Sequence, residues 1–390
     1  MLVCIYCEEE KGDKNFSSEH VIPKSLGGAQ VPDRFKTQRV CETCNNNLGL
    51  FVDASFEKNW FISNWLHAIY PTDKIQDGFK EIPLICIGIL KEKAPFLQTD
   101  EICEYYLGPN HESIFWIRPD DERLFGYVGG NPRTTKDANT RAYFFMSKKS
   151  ESNAHAMLYS FKHAFSGRKV DKILAGQIDG FEISKIGLRP PNEHEKTEIQ
   201  WLDNYAFNQN EKVQCQIRHY GRFDIRFLSK LARGLSFCIW GDKVLQSPYS
   251  REIFKGIWLK NDEPMPDTKN VSIFANQDQN LLDRFGYPKA IVITFMQIDK
   301  NISMCVNIGT KKSARIICAD EKMLTDIDRR KIEGGLAIVI FSFLKKAISM
   351  TLMEFLAHKD GTLPHPELAK IEQEFDLTSE KAPRNLQDKP

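Results

Sequence analysis

Two cysteine pairs, Cys4-x-x-Cys7 and Cys41-x-x-Cys44, are the residues whose type and spacing most clearly point to chemistry. Each pair presents two thiolates from one turn. Two such knuckles supply the four convergent sulfurs that tetrahedral zinc needs at Zn–S distances of roughly 2.3 Å. A site closed by four cysteines has no position left for substrate, so its Zn2+ would be structural. In a module too small to fold on hydrophobic burial alone, the free energy of metal binding becomes folding free energy. The other cysteines, Cys86, Cys103, Cys215, Cys238, Cys305 and Cys318, are scattered among apolar neighbours and read as buried thiols.

Between the knuckles runs Phe16-Ser-Ser-Glu-His-Val-Ile-Pro-Lys-Ser-Leu-Gly-Gly28, and directly after the last cysteine comes Asn45-Asn-Asn-Leu-Gly49. This combination resembles the zinc-bearing HNH, or ββα-metal, endonucleases, in which C-x-x-C pairs flank an acid and a histidine and end in C-x-x-C-[HN]. The resemblance covers residues 1–58 and stops there. It implies phosphodiester hydrolysis, which needs a base for water and a divalent cation to offset charge on the phosphate. His20 would be the general base. Glu19 and Asn45 would hold the cation, Mg2+ or Mn2+, as a hard oxygen pair that leaves most of the octahedron to water and phosphate. Asn46 and Asn47 are less favoured ligands, because the family position follows the last cysteine directly.

Plainer readings accompany each role. Glu19 can be a solvated strand-end charge, and Asn45 can cap a helix. Neighbouring strand residues point to opposite faces, so Glu19 and His20 flank one phosphate only if the strand ends or bends between them; Pro23 and Gly27-Gly28 would supply that ending. Two departures from the family stand out. The middle asparagine of the second strand is replaced by Lys36-Thr37-Gln38, so Thr37 or Gln38 would brace the loop, and glutamate stands where aspartate is frequent. The rival from another class is a non-catalytic zinc module that binds nucleic acid or a protein partner.

DNA is the expected substrate, and RNA would use the same residues. The module carries nine acidic against seven basic side chains in residues 1–60, so it needs help to hold a polyanion. Lys24 and Arg39 are candidate phosphate contacts within it. Further along, Arg222, Arg226, Lys230 and Arg233 recur at helical intervals opposite Phe223, Phe227, Leu228, Leu231 and Leu235. That spacing suits a phosphate-tracking stripe, and equally an ordinary amphipathic helix with a solvated basic side. A smaller group, Arg133, Lys136 and Arg141 after Gly129-Gly130, is either a further contact or a charged turn.

The elements that must position these residues follow from apolar periodicity. The expected class is α+β: an N-terminal zinc-stapled ββα module followed by one or two mixed α+β domains. Residues 1–75 form the module and an exit helix, since Phe51, Phe56, Trp60, Phe61, Trp65, Leu66 and Tyr70 recur at helical spacing. Residues 76–200 carry strand-like runs, IPLICIGIL, SIFWIRP and RAYFFMS, with one helix over 154–165. Residues 201–360 read as a targeting or regulatory domain with a helix at 223–237, a hairpin from AIVITFMQI and ISMCVNIG, and a closing apolar segment at 335–356. Residues 361–390 form a polar, poorly ordered tail.

Composition excludes other classes. The chain has 390 residues, 42% hydrophobic and 27% charged, with a net charge of +1, so neither disorder nor a chain-wide polyanion-binding charge is in view. The longest apolar run, Gly334 to Leu344, is too short to span a membrane, and the N-terminus has no secretory pattern, so the cytoplasm is the expected compartment. A nuclease there needs restraint. The C-terminal region is expected to supply recognition, activation by a ligand or a protein partner, as in bacterial defence nucleases.

Overall fold

The computed structural model describes residues 1–70, 82–120, 126–131, 135–136, 138–150, 154–176, 182–208, 213–275 and 279–375. Strands β1 (Leu2–Val3) and β2 (Glu10–Lys11) form a minimal antiparallel pair around the first knuckle, with Glu8 turning the chain at φ 61°. Next, β3 (Phe16–His20) and β4 (Lys36–Cys41) pair antiparallel, and α1 (Glu42–Leu48) begins at the N-cap Cys41. This is the expected ββα order. A bulge between Ser17 and Glu19 bends β3 just before its end. The chain then leaves through a turn only glycine can make: Gly27 has φ 88°, and a Cβ on Gly28 would collide with the Ile22 carbonyl.

The anticipated exit helix is interrupted. After a π-helical stretch, Gly49–Asp53, and α2 (Ala54–Glu57), Asn59 adopts an extended conformation, and its Oδ1 accepts from the N–H groups of Phe61 and Ile62 to start α3 (Trp60–Ala68). Apolar spacing runs across the break because both helices bury the same kind of face, whereas the cap is local Asn chemistry.

Residues Glu57–Tyr220 make one compact unit. Its sheet comprises β5 (Ile85–Leu90), β6 (Glu101–Leu107), β7 (Ser113–Pro119), β8 (Thr140–Phe145), β9 (Val170–Leu174), β10 (Leu188–Arg189) and β11 (Cys215–Gln216), in the order β10-β9-β8-β7-β6-β5-β11. It is mixed: antiparallel from β11 to β8, parallel from β8 to β10. Helix α4 (Ala154–His163) connects the parallel strands β8 and β9, and α5 (Glu193–Asp203) follows β10 behind a capping box from Asn192. Both faces are covered, and strand alternation shows it. Ile114, Trp116, Ala142 and Phe144 join Met157 and Phe161 of α4, while Phe115, Ile117, Tyr143 and Phe145 join Leu202 of α5.

Met1–Phe56 and Gly221–Pro390 form the second unit. Here α6 (Phe223–Trp240), α7 (Ser250–Ile257) and α8 (Gln279–Phe285) precede β12 (Ile291–Ile298), β13 (Asn301–Ile308) and β14 (Lys312–Asp320). Then come α9 (Asp326–Arg330), β15 (Leu336–Phe341), β16 (Lys346–Thr351), α10 (Leu352–Lys359) and α11 (Pro366–Phe375). The five strands are antiparallel in the order β14-β13-β12-β15-β16. The expected hairpin pairs from Ile291↔Ile308 to Ile298↔Asn301, and Asp299 turns it at φ 54°. The longest apolar run becomes β15, buried at every residue. Helix α11, with Leu368, Ile371 and Phe375 buried, orders the start of the segment expected as a loose tail; residues 376–390 lie outside the described residues. No helix among the described residues is long and apolar enough to cross a membrane.

The unit boundaries, after Phe56 and after Tyr220, differ from the expected divisions at 75/76 and 200/201 because α6 packs on the N-terminal module. Gly234 permits the approach: a Cβ there would lie within 3.0 Å of the Tyr6 hydroxyl and of Val21. Gly234→Ala should therefore lower stability by about 1–3 kcal/mol, although in an open helix alanine would gain about 1 kcal/mol. Gly49→Ala, at φ −58° with nothing within 4 Å, should be neutral or stabilising. Denaturant unfolding of both variants checks this, and equal effects would count against the close approach.

Candidate active site and metal centre

The knuckles converge as the spacing requires. The four sulfurs of Cys4, Cys7, Cys41 and Cys44 lie within 4.8 Å of one another, with Cys7 and Cys41 at 3.9 Å. A zinc tetrahedron with bonds of roughly 2.3 Å has edges of about 3.8 Å, so the cluster fits Zn2+. Two donors prepare it for thiolate charge: the Cys41 N–H points at the Cys4 sulfur at 3.4 Å, and Lys11 Nζ at the Cys41 sulfur at 3.4 Å. The hydrogen bond with Cys44 draws the Cys4 thiol down to about 4 and sends Cys44 far upward, the split expected when sulfurs this close compete for charge.

His20 ends β3, opposite Lys36, and is half-buried. No hydrogen bond from the described residues engages its ring. Burial lowers its pKa below the ordinary imidazole value, and the nearby ammoniums of Lys36 and Lys24 add to the shift. The ring is therefore neutral at pH 7 and able to accept a proton. Lys36 is itself tied to Asp33 at 2.6 Å. Asn45, on α1, donates Nδ2 to Ser17 Oγ at 2.9 Å and to the Ser18 carbonyl at 3.4 Å. It clamps the β3 bulge, which leaves Oδ1 as its atom for a cation. Thus Asn45 performs the bracing expected of Thr37 or Gln38; Thr37 is buried opposite Glu19, and Gln38 is exposed.

Glu19 corrects an expectation. Its carboxylate is buried, and Oε1 lies 2.8 Å from Nζ of Lys230, whose side chain is 0% exposed. The same ammonium reaches Asp53 Oδ2 at 3.1 Å and donates to the Val21 carbonyl at 2.9 Å, so its three N–H bonds are all used. Burial raises the Asp53 pKa against the pull of Lys230, and Asp53 Oδ1 has no hydrogen-bond partner. A divalent cation held jointly by Glu19 and Asn45 does not fit this arrangement, because an ammonium already occupies the cation position on Glu19 and the strand turns His20 to the other face.

The basic stripe is corrected as well. Lys230 and Arg233 are buried, so neither faces solvent. Arg233 bonds to Glu8 at 2.5 Å, to the Ile5 carbonyl and to Ser250 Oγ at 2.8 Å. Arg222 and Arg226, half-buried, donate to the carbonyls of Lys260 at 2.8 Å and Leu259 at 2.7 Å. All four side chains serve packing within the unit. Arg39 is bidentate to Asp242, at 3.0 and 3.3 Å, whereas Lys24 is exposed. Of the smaller group, Arg141 pairs with Glu101 and Glu198, and Arg133 lies outside the described residues. Asp53, Glu8 and Asp242 are the partners that sequence reasoning missed, and nothing local to them signals the role.

Residues 4–61 match a family model described as HNH endonuclease. The match spans the zinc cluster, both strands and α1, and extends over the module alone. No curated protein and no solved structure shows a significant match.

Cys41→Ser should cost the bound zinc and most soluble folded protein, read by metal analysis and circular dichroism. Lys230→Met should destabilise by about 3–5 kcal/mol, because it strands two buried carboxylates. A loss under about 1 kcal/mol in denaturant unfolding would mean that the Glu19–Lys230–Asp53 cluster does not hold the unit together.

Proposed function

We propose that the HNH-type N-terminal module hydrolyses phosphodiester bonds of nucleic acid, DNA first, with His20 as the general base. One observation carries the reading: a neutral imidazole, unbonded to protein, at the end of a bent strand whose bulge Asn45 clamps. A base must be deprotonated and free to reach water, and His20 meets both conditions at neutral pH. Lys24 and Lys36 flank it and would attract the phosphate. A divalent cation, Mg2+ or Mn2+, would offset phosphate charge in such a site; Asn45 Oδ1 is the ligand the geometry offers, and Glu19 instead anchors β3 to α6. The structural zinc holds both knuckles, and so the strand ends, in register.

The buried Glu19 is also what a zinc-scaffolded binding module would show, and this second reading separates cleanly by assay. Wild type should cleave supercoiled plasmid, single-stranded DNA or RNA with Mg2+ or Mn2+ and stop on addition of EDTA. His20→Ala should lower the rate by about 10²–10⁴-fold with zinc content and stability unchanged. No cleavage by a zinc-loaded wild type would favour the binding module.

The pH profile gives an independent check. Because the folded His20 pKa lies below the ordinary value of about 6.5, the active neutral form dominates above that depressed pKa. Cleavage should rise with pH through an inflection below 6.5 and then level. An inflection above 6.5 would assign the limiting proton to another group.

A further inference from the structure

The unit formed by Glu57–Tyr220 contains a cavity of about 490 Å³ whose described lining includes Lys58, Lys136 and Arg168 and no aspartate or glutamate. Its volume falls within the range of roughly 300–1,000 Å³ that takes a small organic molecule rather than a lone ion. Lys58 and Arg168 are both half-buried, and no carboxylate pairs with either among the described residues. Glu104, the nearest buried acid, is spent on Arg118, the Tyr106 hydroxyl and the Gly129 N–H. Arg168 is oriented without a counterion: its guanidinium lies 4.8 Å from the Trp116 ring centroid and donates to the Gly129 carbonyl at 3.4 Å. A Cβ on Gly129, which has φ 73°, would strike that guanidinium, so the glycine is what allows it to lie flat there.

Like charges brought together out of water repel, and Lys58 shows it. Burial lowers its pKa and Arg168 lowers it further, against the weaker pull of Glu57. Two cations oriented around a cavity with no acid among its described lining residues suit an anion from outside. The rest of the lining is apolar: Ile82, Leu84, Val128 and Phe165 could cover the uncharged body of a ligand. His67 donates Nδ1–H to the Leu84 carbonyl at 2.8 Å, and burial pushes its pKa down to about 4, so it stays neutral and offers Nε2 as an acceptor. A space of this size suits one small molecule.

We infer that this cavity binds a phosphorylated small molecule of nucleotide size, its phosphates between Lys58, Arg168 and Lys136 and its flat body against the apolar wall. The inference does not depend on His20, and its test does not read cleavage.

The test is isothermal titration of the full zinc-loaded chain with ATP, AMP, inorganic pyrophosphate and adenosine. ATP and pyrophosphate should bind saturably at one site per chain, with AMP weaker and adenosine absent. Arg168→Met should weaken ATP at least tenfold. Should that variant misfold, Lys136→Glu, an exposed position, should still weaken ATP at least threefold. Failure of every probe to bind below millimolar concentration, adenosine binding as well as ATP, or unchanged binding by a folded variant would overturn the inference. Displacement of ATP by a single-stranded oligonucleotide would reassign the cations to strand contact and overturn it as well.

Discussion

A single buried ammonium, Lys230 Nζ, ties the N-terminal module to the body of its unit. Removing an ammonium from water is expensive, and the cost is met only when every N–H finds an acceptor. Here Glu19, Asp53 and the Val21 carbonyl take all three. One turn further along α6, Arg233 does the same for the first knuckle by gripping the Ile5 carbonyl and Glu8. Tyr6, between the knuckle cysteines, donates its hydroxyl to the Lys230 carbonyl at 3.3 Å, and Trp258 donates to the Tyr6 carbonyl at 2.8 Å. Zinc can close the knuckles, but α6 decides where they stand.

The division of labour along β3 follows from that anchor. Successive strand residues face opposite ways, so once Glu19 is drawn inward His20 must turn outward. The bulge beside Ser18 sets the local twist, and Asn45 holds the bulge from α1, which itself starts at a zinc cysteine. His20, Asn45 and the cysteine cluster are therefore one mechanical chain. The acid before the histidine, which the family pattern offers as a metal ligand, serves here as its foot.

How much was legible in the sequence depended on how far apart the partners lie. The ββα order, the four-cysteine cluster and the β12–β13 hairpin are written in local spacing, and the structure has them. SIFWIRP was legible as a strand, and its continuous apolar run is buried on both faces. The charges of α6 were a different case. Arg222, Arg226, Lys230 and Arg233 recur at intervals that fit a solvated stripe as well as a buried one, because periodicity reports which residues share a face and not what covers it. The acids and carbonyls of the N-terminal module that cover Lys230 and Arg233 are 177 to 228 positions away, and the carbonyls that hold Arg222 and Arg226 are 33 to 41 away. The unit boundary after Phe56 was hidden for the same reason, and the break at Asn59 because its capping signal sits inside an unbroken apolar rhythm.

Charge pairing among the described residues also bears on the cavity of the inserted unit. Among the described residues, the other buried or half-buried arginines of that unit are matched: Arg118 by Glu104, Arg141 by Glu101 and Glu198, and Arg218 by Asp120 at 2.6 Å. Even Arg189, more exposed, holds both Asp171 and Glu195. Where no acid is at hand, carbonyls hold the charge, as for Arg222 and Arg226 in α6 and Lys172 in β9; Lys58 and Arg168 differ in that both line one cavity. Their repulsion is a standing cost to the fold, one that an aspartate at any of several lining positions would relieve. That the lining supplies stacking, a glycine and a neutral histidine instead is the pattern expected where the balancing charge arrives with a ligand.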